Sequence, residues 1–120
     1  MVNDYKDLQV WQKAIALVTD VYGLVGGLPK EERYALADQI KRSAVSIPSN
    51  IAEGAGRNTM KEYIQFLYVA LGSASELETQ LIIGKNVGFF RDTEKQMREI
   101  LTIRKMLNAL INSLKNKVEK

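Results

Sequence analysis

Apolar residues recur along this chain at the three- and four-residue spacing of helices, and no segment alternates as a strand would. From Leu8 to Val25, the positions Trp11, Ala14, Ile15, Val18, Val21, Tyr22 and Val25 share one face, and Gly26-Gly27 ends the run. A second helix is expected to open near Pro29, a favourable first-turn residue, and to reach about Ala55, where Gly54 and Gly56 loosen its end. "TMKE" opens the third, with Thr59 and Glu62 as a capping box. Its stripe is Met60, Tyr63, Ile64, Leu67, Ala70, Leu71, Ala74, Leu77 and Leu81, and it stops around "NVGFF". The fourth begins at "RDTEKQ", where Asp92 or Thr93 can cap, and its seam is Ile100, Ile103, Leu107, Leu110 and Leu114. Short connections hold consecutive helices antiparallel. The pattern predicts one all-α domain over residues 1–120, an antiparallel up-down-up-down four-helix bundle with a proline-kinked second helix.

The second helix carries the most informative stretch, "IKRSAVSIPSNIAEGAGR", residues 40–57. Pro48 removes one helical hydrogen bond and presses on the carbonyl of Ala44, at a cost of ~3 kcal/mol. Neighbouring serine hydroxyls can bond freed backbone groups, so a bend is expected rather than a break. Projected at about 100° per residue, Leu36, Ile40, Ala44, Ile47 and Ile51 face a core. Ala37, Val45, Pro48 and Ala52 make a small-residue flank, and Gln39, Arg42, Ser43, Ser46, Asn50, Glu53 and Arg57 make a polar strip. Only Asp38, Lys41, Arg42 and Glu53 are charged between positions 37 and 56, fewer than a solvated face carries, so this helix is expected to be covered on more than one side. The strip either hydrogen-bonds neighbouring helices or meets a second subunit or polar partner. In the second case Gln39, Arg42, Ser43, Ser46, Ser49, Asn50, Glu53 and Arg57 are the contacts. Val69 and Ile83, opposite the core stripe of the third helix, join them as apolar contacts.

Glu78 stands within the apolar stripe of the third helix, where a carboxylate needs a partner. Antiparallel geometry brings it level with Arg33 and Arg104, and these three are expected to form an interior ion cluster that sets helix register.

Composition narrows the chemistry. Histidine and cysteine are absent, which removes the commonest general base, the commonest metal ligand and any disulfide. The glutamates lack a metal-binding repeat, and "EGAGRN" lacks the lysine and preceding strand of a phosphate loop. No enzyme activity, catalytic residue, cofactor or metal is expected. No apolar run approaches the roughly 20 residues that span a bilayer, and the polar start is unlike a signal peptide, so a cytoplasmic chain without a membrane partner is expected. The net charge is +3, and the excess falls in the second half: residues 1–60 hold seven basic and seven acidic side chains, residues 61–120 ten and seven. Arg91, Lys95, Arg98, Lys105, Lys115 and Lys117, on or beside the exposed side of the fourth helix, are the candidate contacts to an anionic partner.

The stretch "ERYALADQIKRSAVSIPSNIAEGAGR", with "DLQVWQKAIAL" and "FLYVALGSASELETQL", resembles the four-helix-bundle family of 23S rRNA intervening-sequence proteins over roughly residues 7–90. The motif positions are Arg33, Tyr34, Gln39, Arg42, Ser46, Pro48, Ser49, Asn50, Glu53, Gly54 and Arg57. Lys41-Arg42-Ser43 departs from the double-arginine-alanine usual there, and the fourth helix matches in apolar spacing alone. The resemblance implies a ring-like homopentamer and kinship with accessory proteins of diversity-generating retroelements, which bind nucleic acid and a reverse transcriptase. The reading that follows is a non-catalytic oligomeric scaffold for RNA or DNA. The alternative is a protein-interaction module without nucleic acid.

Overall fold

Each predicted stripe folds into a helix. The computed structural model describes residues 4–29, 31 and 33–119, and among these lie α1 (Gln9–Val25), α2 (Asp38–Ala55), α3 (Met60–Asn86) and α4 (Glu94–Glu119). A 3-10 turn, Tyr5–Asp7, leads into α1; the Asp4 carboxylate starts it by accepting the Lys6 N–H at 2.9 Å. The Thr59 hydroxyl accepts the Glu62 N–H at 3.1 Å and caps α3 as its sequence predicts. At α4 it is the Asp92 carboxylate that takes the Glu94 N–H, at 3.0 Å.

The helices pack in chain order, with α4 closing against α1. Cross-helix pairs show the direction. Ser43 meets Gln80 and Ser46 meets Ser73, so α2 and α3 run oppositely. Glu78 meets Arg104 and Tyr68 meets Lys115, so α3 and α4 do too. The result is a rod of 51 × 20 × 19 Å. Its interior is aliphatic: Leu17, Ile40, Ile47, Ile51, Leu67, Leu77, Leu81, Ile100, Ile103, Leu107 and Ile111 are fully enclosed.

Four expectations are corrected. Pro29 is not helical, and a wider π-helical turn, Arg33–Ala37, precedes α2. Such a turn holds an extra residue, which brings Ala37 into the core in phase with Ile40. On α4, Ile111 is buried while Leu110 is only half-buried. Leu114 keeps its place in the core, and at 3.6 residues per turn Ile111, four residues after Leu107 and three before Leu114, lies as near their face as Leu110 does, so packing against the neighbouring helices decides which is covered. Met60, the first residue of α3, stands at the end of the rod and is exposed. Gly54 does not loosen α2: it is buried, and a β-carbon there would come within 2.8 Å of Phe66 Cβ and 3.2 Å of the Tyr63 carbonyl. Its missing side chain is what lets α3 approach.

Helix α2 runs through Pro48 unbroken. The serine hydroxyls serve another purpose than relieving the proline. Ser43 donates toward the Ile40 carbonyl and Gln80 Oε1, and Ser46 and Ser73 share a hydrogen bond across the α2–α3 seam.

Candidate interaction surfaces

The polar strip of α2 divides into two rows. The inner row turns into the protomer. Ser43 is 2% exposed and its hydroxyl lies 2.7 Å from Gln80 Oε1. Ser46 lies 2.7 Å from Ser73, and Asn50 donates to both the hydroxyl and the carbonyl of Ser46. Ser43 is therefore a contact between helices of one chain and is lost to any partner, since small side chains at this seam admit only a buried hydroxyl. Ser46 and Asn50 are half-buried and have spent most of their hydrogen bonds in the same way.

The outer row faces solvent. Gln39, Arg42, Ser49, Glu53 and Arg57 are exposed, with Arg57 bonded to Glu53 at 2.8 Å and its guanidinium 4.6 Å from the Phe66 ring centre. Helical projection of α3 places Val69, Ile83 and Val87 on its side nearest α2, and they are 51%, 46% and 58% exposed. Gln39 and Arg57 of α2 thus share the α2/α3 face with Val69 and Ile83, while Arg42 turns toward Tyr22 and Lys41 on the other flank. A second apolar surface lies on the other flank of α2. Trp11, Ile15 and Val18 of α1 meet Val45, Pro48 and Ala52 in an open groove of about 290 Å³. Tyr22 and Lys41 continue it, with the ammonium 5.1 Å from the ring centre. Ser49 lines this groove rather than the α2/α3 face.

All six candidate cations of the α4 region are exposed. Lys95 pairs with Asp20 of α1 at 3.2 Å, Arg98 sits 3.8 Å from Glu94, and Lys115 lies over Tyr68. Arg91, Lys105 and Lys117 have no acidic partner among the described residues.

The expected interior ion cluster is a half-exposed pair. Arg104 reaches Glu78 at 3.3 Å, with side chains 27% and 31% exposed, and also lies 3.4 Å from the Ser75 hydroxyl. The pair sits at the margin of the α3–α4 seam because Leu77 and Leu81, not Glu78, point to the core. The Arg33 side chain, like that of Tyr34, lies outside the described residues.

One acidic pair escaped the sequence reading. Asp20 of α1 and Glu99 of α4 face each other beside Lys95, which reaches Asp20 at 3.2 Å, and Glu99 Oε1 is buried with no hydrogen-bond partner among the described residues. Burial, then Asp20, pushes the Glu99 carboxyl up to about 7, while the protonated Glu99 carboxyl and the ammonium of Lys95 hold Asp20 low. The signal was available: Asp20 adjoins Val21, and Glu99 adjoins Ile100 and precedes Ile103 by one turn, so both flank core stripes. Among the described residues no group of three or more acidic side chains is placed to hold a metal ion, and no helix is long and apolar enough to cross a membrane.

A family model described as 23S rRNA-intervening sequence protein matches residues 6–109. Among solved structures, a protein of unknown function from the S23 ribosomal protein family of Bacteroides thetaiotaomicron is similar at 25% identity, with TM-score 0.80 over 86% of this chain and 95% of that one. Comparison with curated proteins finds no match.

Proposed function

Because the chain belongs to the 23S rRNA-intervening sequence protein family, we propose that it is a non-catalytic homo-oligomeric scaffold, a pentameric ring, that binds RNA or DNA. The observation that carries the reading is that exposed apolar side chains lie on both flanks of α2: Val69, Ile83 and Val87 on one, Ile15, Tyr22 and Val45 on the other. Two unlike surfaces on one protomer suit head-to-tail contacts. Head-to-tail contacts close into a ring where the rotation from one copy to the next divides a full turn, and run on as a filament where it does not. An accessory role beside a reverse transcriptase fits the same scaffold.

Assembly also multiplies charge. Five copies of a +3 chain carry +15, and among the cations in that sum Arg91, Lys105 and Lys117 have no acidic partner among the described residues. Binding through phosphates releases counterions and must weaken steeply as salt rises.

Titration of a labelled single-stranded RNA at several salt concentrations tests this. Wild-type protein should bind at about 50 mM salt and lose affinity by more than tenfold by about 200 mM. Arg98→Glu with Lys105→Glu should weaken binding and flatten the salt slope. An intact oligomer that ignores RNA and DNA at low salt would favour a purely protein-binding module.

A further inference from the structure

One end of the rod carries a cleft of about 550 Å³ between the leading turn, the α2–α3 connection and the last turns of α4. Its size falls within the range of about 300–1,000 Å³ typical of small-molecule sites. Tyr5 and Tyr63 line it together with Leu114, and Arg57, Asn58 and Lys117 stand among its polar groups. Leu114 and Tyr63 belong to the core and its margin, whereas Tyr5, Arg57 and Lys117 are not core residues.

The side chains are held for the purpose. Tyr5 and Trp11 meet in a T-shaped pair with ring centres 5.4 Å apart, and the Lys6 ammonium lies 5.8 Å from the Tyr5 ring centre. Tyr63 is half-buried, and burial raises its hydroxyl pKa, so the ring stays neutral. Arg57 is fixed by Glu53 on one edge and by the Phe66 ring beneath, which leaves further N–H donors of its five for a ligand. Lys117 has no acidic partner among the described residues. The acid that also lines the cleft, Asp4, is already engaged by the Lys6 N–H at 2.9 Å and the Lys6 ammonium at 4.0 Å.

We infer that this cleft binds one nucleotide, its base against the faces of Tyr5 and Tyr63 and its phosphate at Arg57 and Lys117. The ligand is either a free nucleoside monophosphate or an unpaired nucleotide of a longer strand, since both present the same heterocycle and phosphate. The inference rests on the nucleic-acid reading above and adds to it a preference for unpaired over paired strands, because a base inside a duplex cannot enter.

Three probes separate the outcomes: a short single-stranded oligouridylate, a blunt RNA duplex, and uridine monophosphate followed through the tyrosine ring signals by NMR. Wild-type protein should bind the single strand more tightly than the duplex. Tyr5→Ala, in the turn outside the helical core, should cost about tenfold in single-strand affinity with no change for the duplex, and Lys117→Gln should weaken the single strand more than the duplex. Arg98→Glu with Lys105→Glu should weaken both strands alike. Unaltered melting temperatures for Tyr5→Ala and Lys117→Gln exclude unfolding as the cause. If these two variants bind the single strand as the wild type does, the cleft is overturned and the nucleic-acid reading survives. Uridine monophosphate that shifts the tyrosine signals, without binding of either strand, supports the cleft as a free-nucleotide site and overturns the strand reading. Silence of all three probes overturns both.

Discussion

Glu99 is the residue at which the chemistry of the bundle departs furthest from ordinary. Its carboxyl titrates near 7 rather than 4.5 because it is partly buried and faces Asp20, with Lys95 and Lys13 only partly offsetting them. A carboxyl with a raised folded pKa holds its proton more tightly when folded, so stability is lost as pH climbs from about 4.5 to about 7 and the loss is complete above that. Asp20 acts in the opposite sense, since its lowered pKa adds stability that is present above its ordinary 3.8 and lost as pH falls through the lowered value. Between pH 5 and 8 only the Glu99 effect changes. Glu99→Gln keeps a hydrogen-bond donor toward Asp20 and abolishes the titration. Discounted for solvent screening, the gain at pH 8 is on the order of 1 kcal/mol, or a few degrees in Tm, and none is expected at pH 4.5. Parallel Tm profiles for the two proteins across that range would refute the assignment. A helical projection can place Glu99 and Asp20 at the margins of two stripes, but whether they meet depends on how far α1 and α4 are rotated about their axes. That rotation belongs to packing, and it is what sets Glu78 at the margin of the α3–α4 seam and brings Asp20 and Glu99 together.

At the scale of elements, the α2–α3 seam is the most extensive helix–helix contact among the described residues and depends on what is absent from it. Ser43, Ser46, Gly54, Ala70, Ser73 and Ala74 are small, and Gly54 has no room for even one carbon against Phe66 and the Tyr63 carbonyl. Gly54→Ala should therefore destabilise the protein by about 1–3 kcal/mol, with a Tm several degrees lower. Gly23, within α1, is the control: a β-carbon there meets nothing within 4 Å, so Gly23→Ala should stabilise by ~0.5–1 kcal/mol through helix propensity alone. Equal effects at the two glycines in thermal melts would mean the seam is looser than described. The helices themselves were legible because a burial stripe repeats every turn, and Leu67, Leu77, Ile103 and Leu107 announce it. The π-helical turn at Arg33–Ala37 was not, because its phase shift answers to neighbours distant in sequence. The close approach at Gly54 was hidden for the same reason, since a glycine near a helix end reads locally as a terminator.

For the whole molecule, the question is how a rod with apolar side chains on adjoining faces meets its copies. Val45 in the α1/α2 groove and Val69 on the α2/α3 face are both exposed, at 39% and 51%, so an acid at either position leaves the core intact. In a head-to-tail ring each subunit uses one surface of each kind, and Val45→Glu and Val69→Glu should each reduce the particle to a 13.5 kDa protomer in light scattering. A self-complementary dimer would respond to only one of them. Mixing the two variants makes the distinction sharper. Each keeps the surface that the other has lost, so one intact contact can form between them, and the mixture should yield dimers and nothing larger. Protomers alone in the mixture would mean that the two surfaces do not face each other across the interface. A wild-type protein that already runs at 13.5 kDa would remove the ring, and with it the multiplied charge on which strong phosphate binding depends.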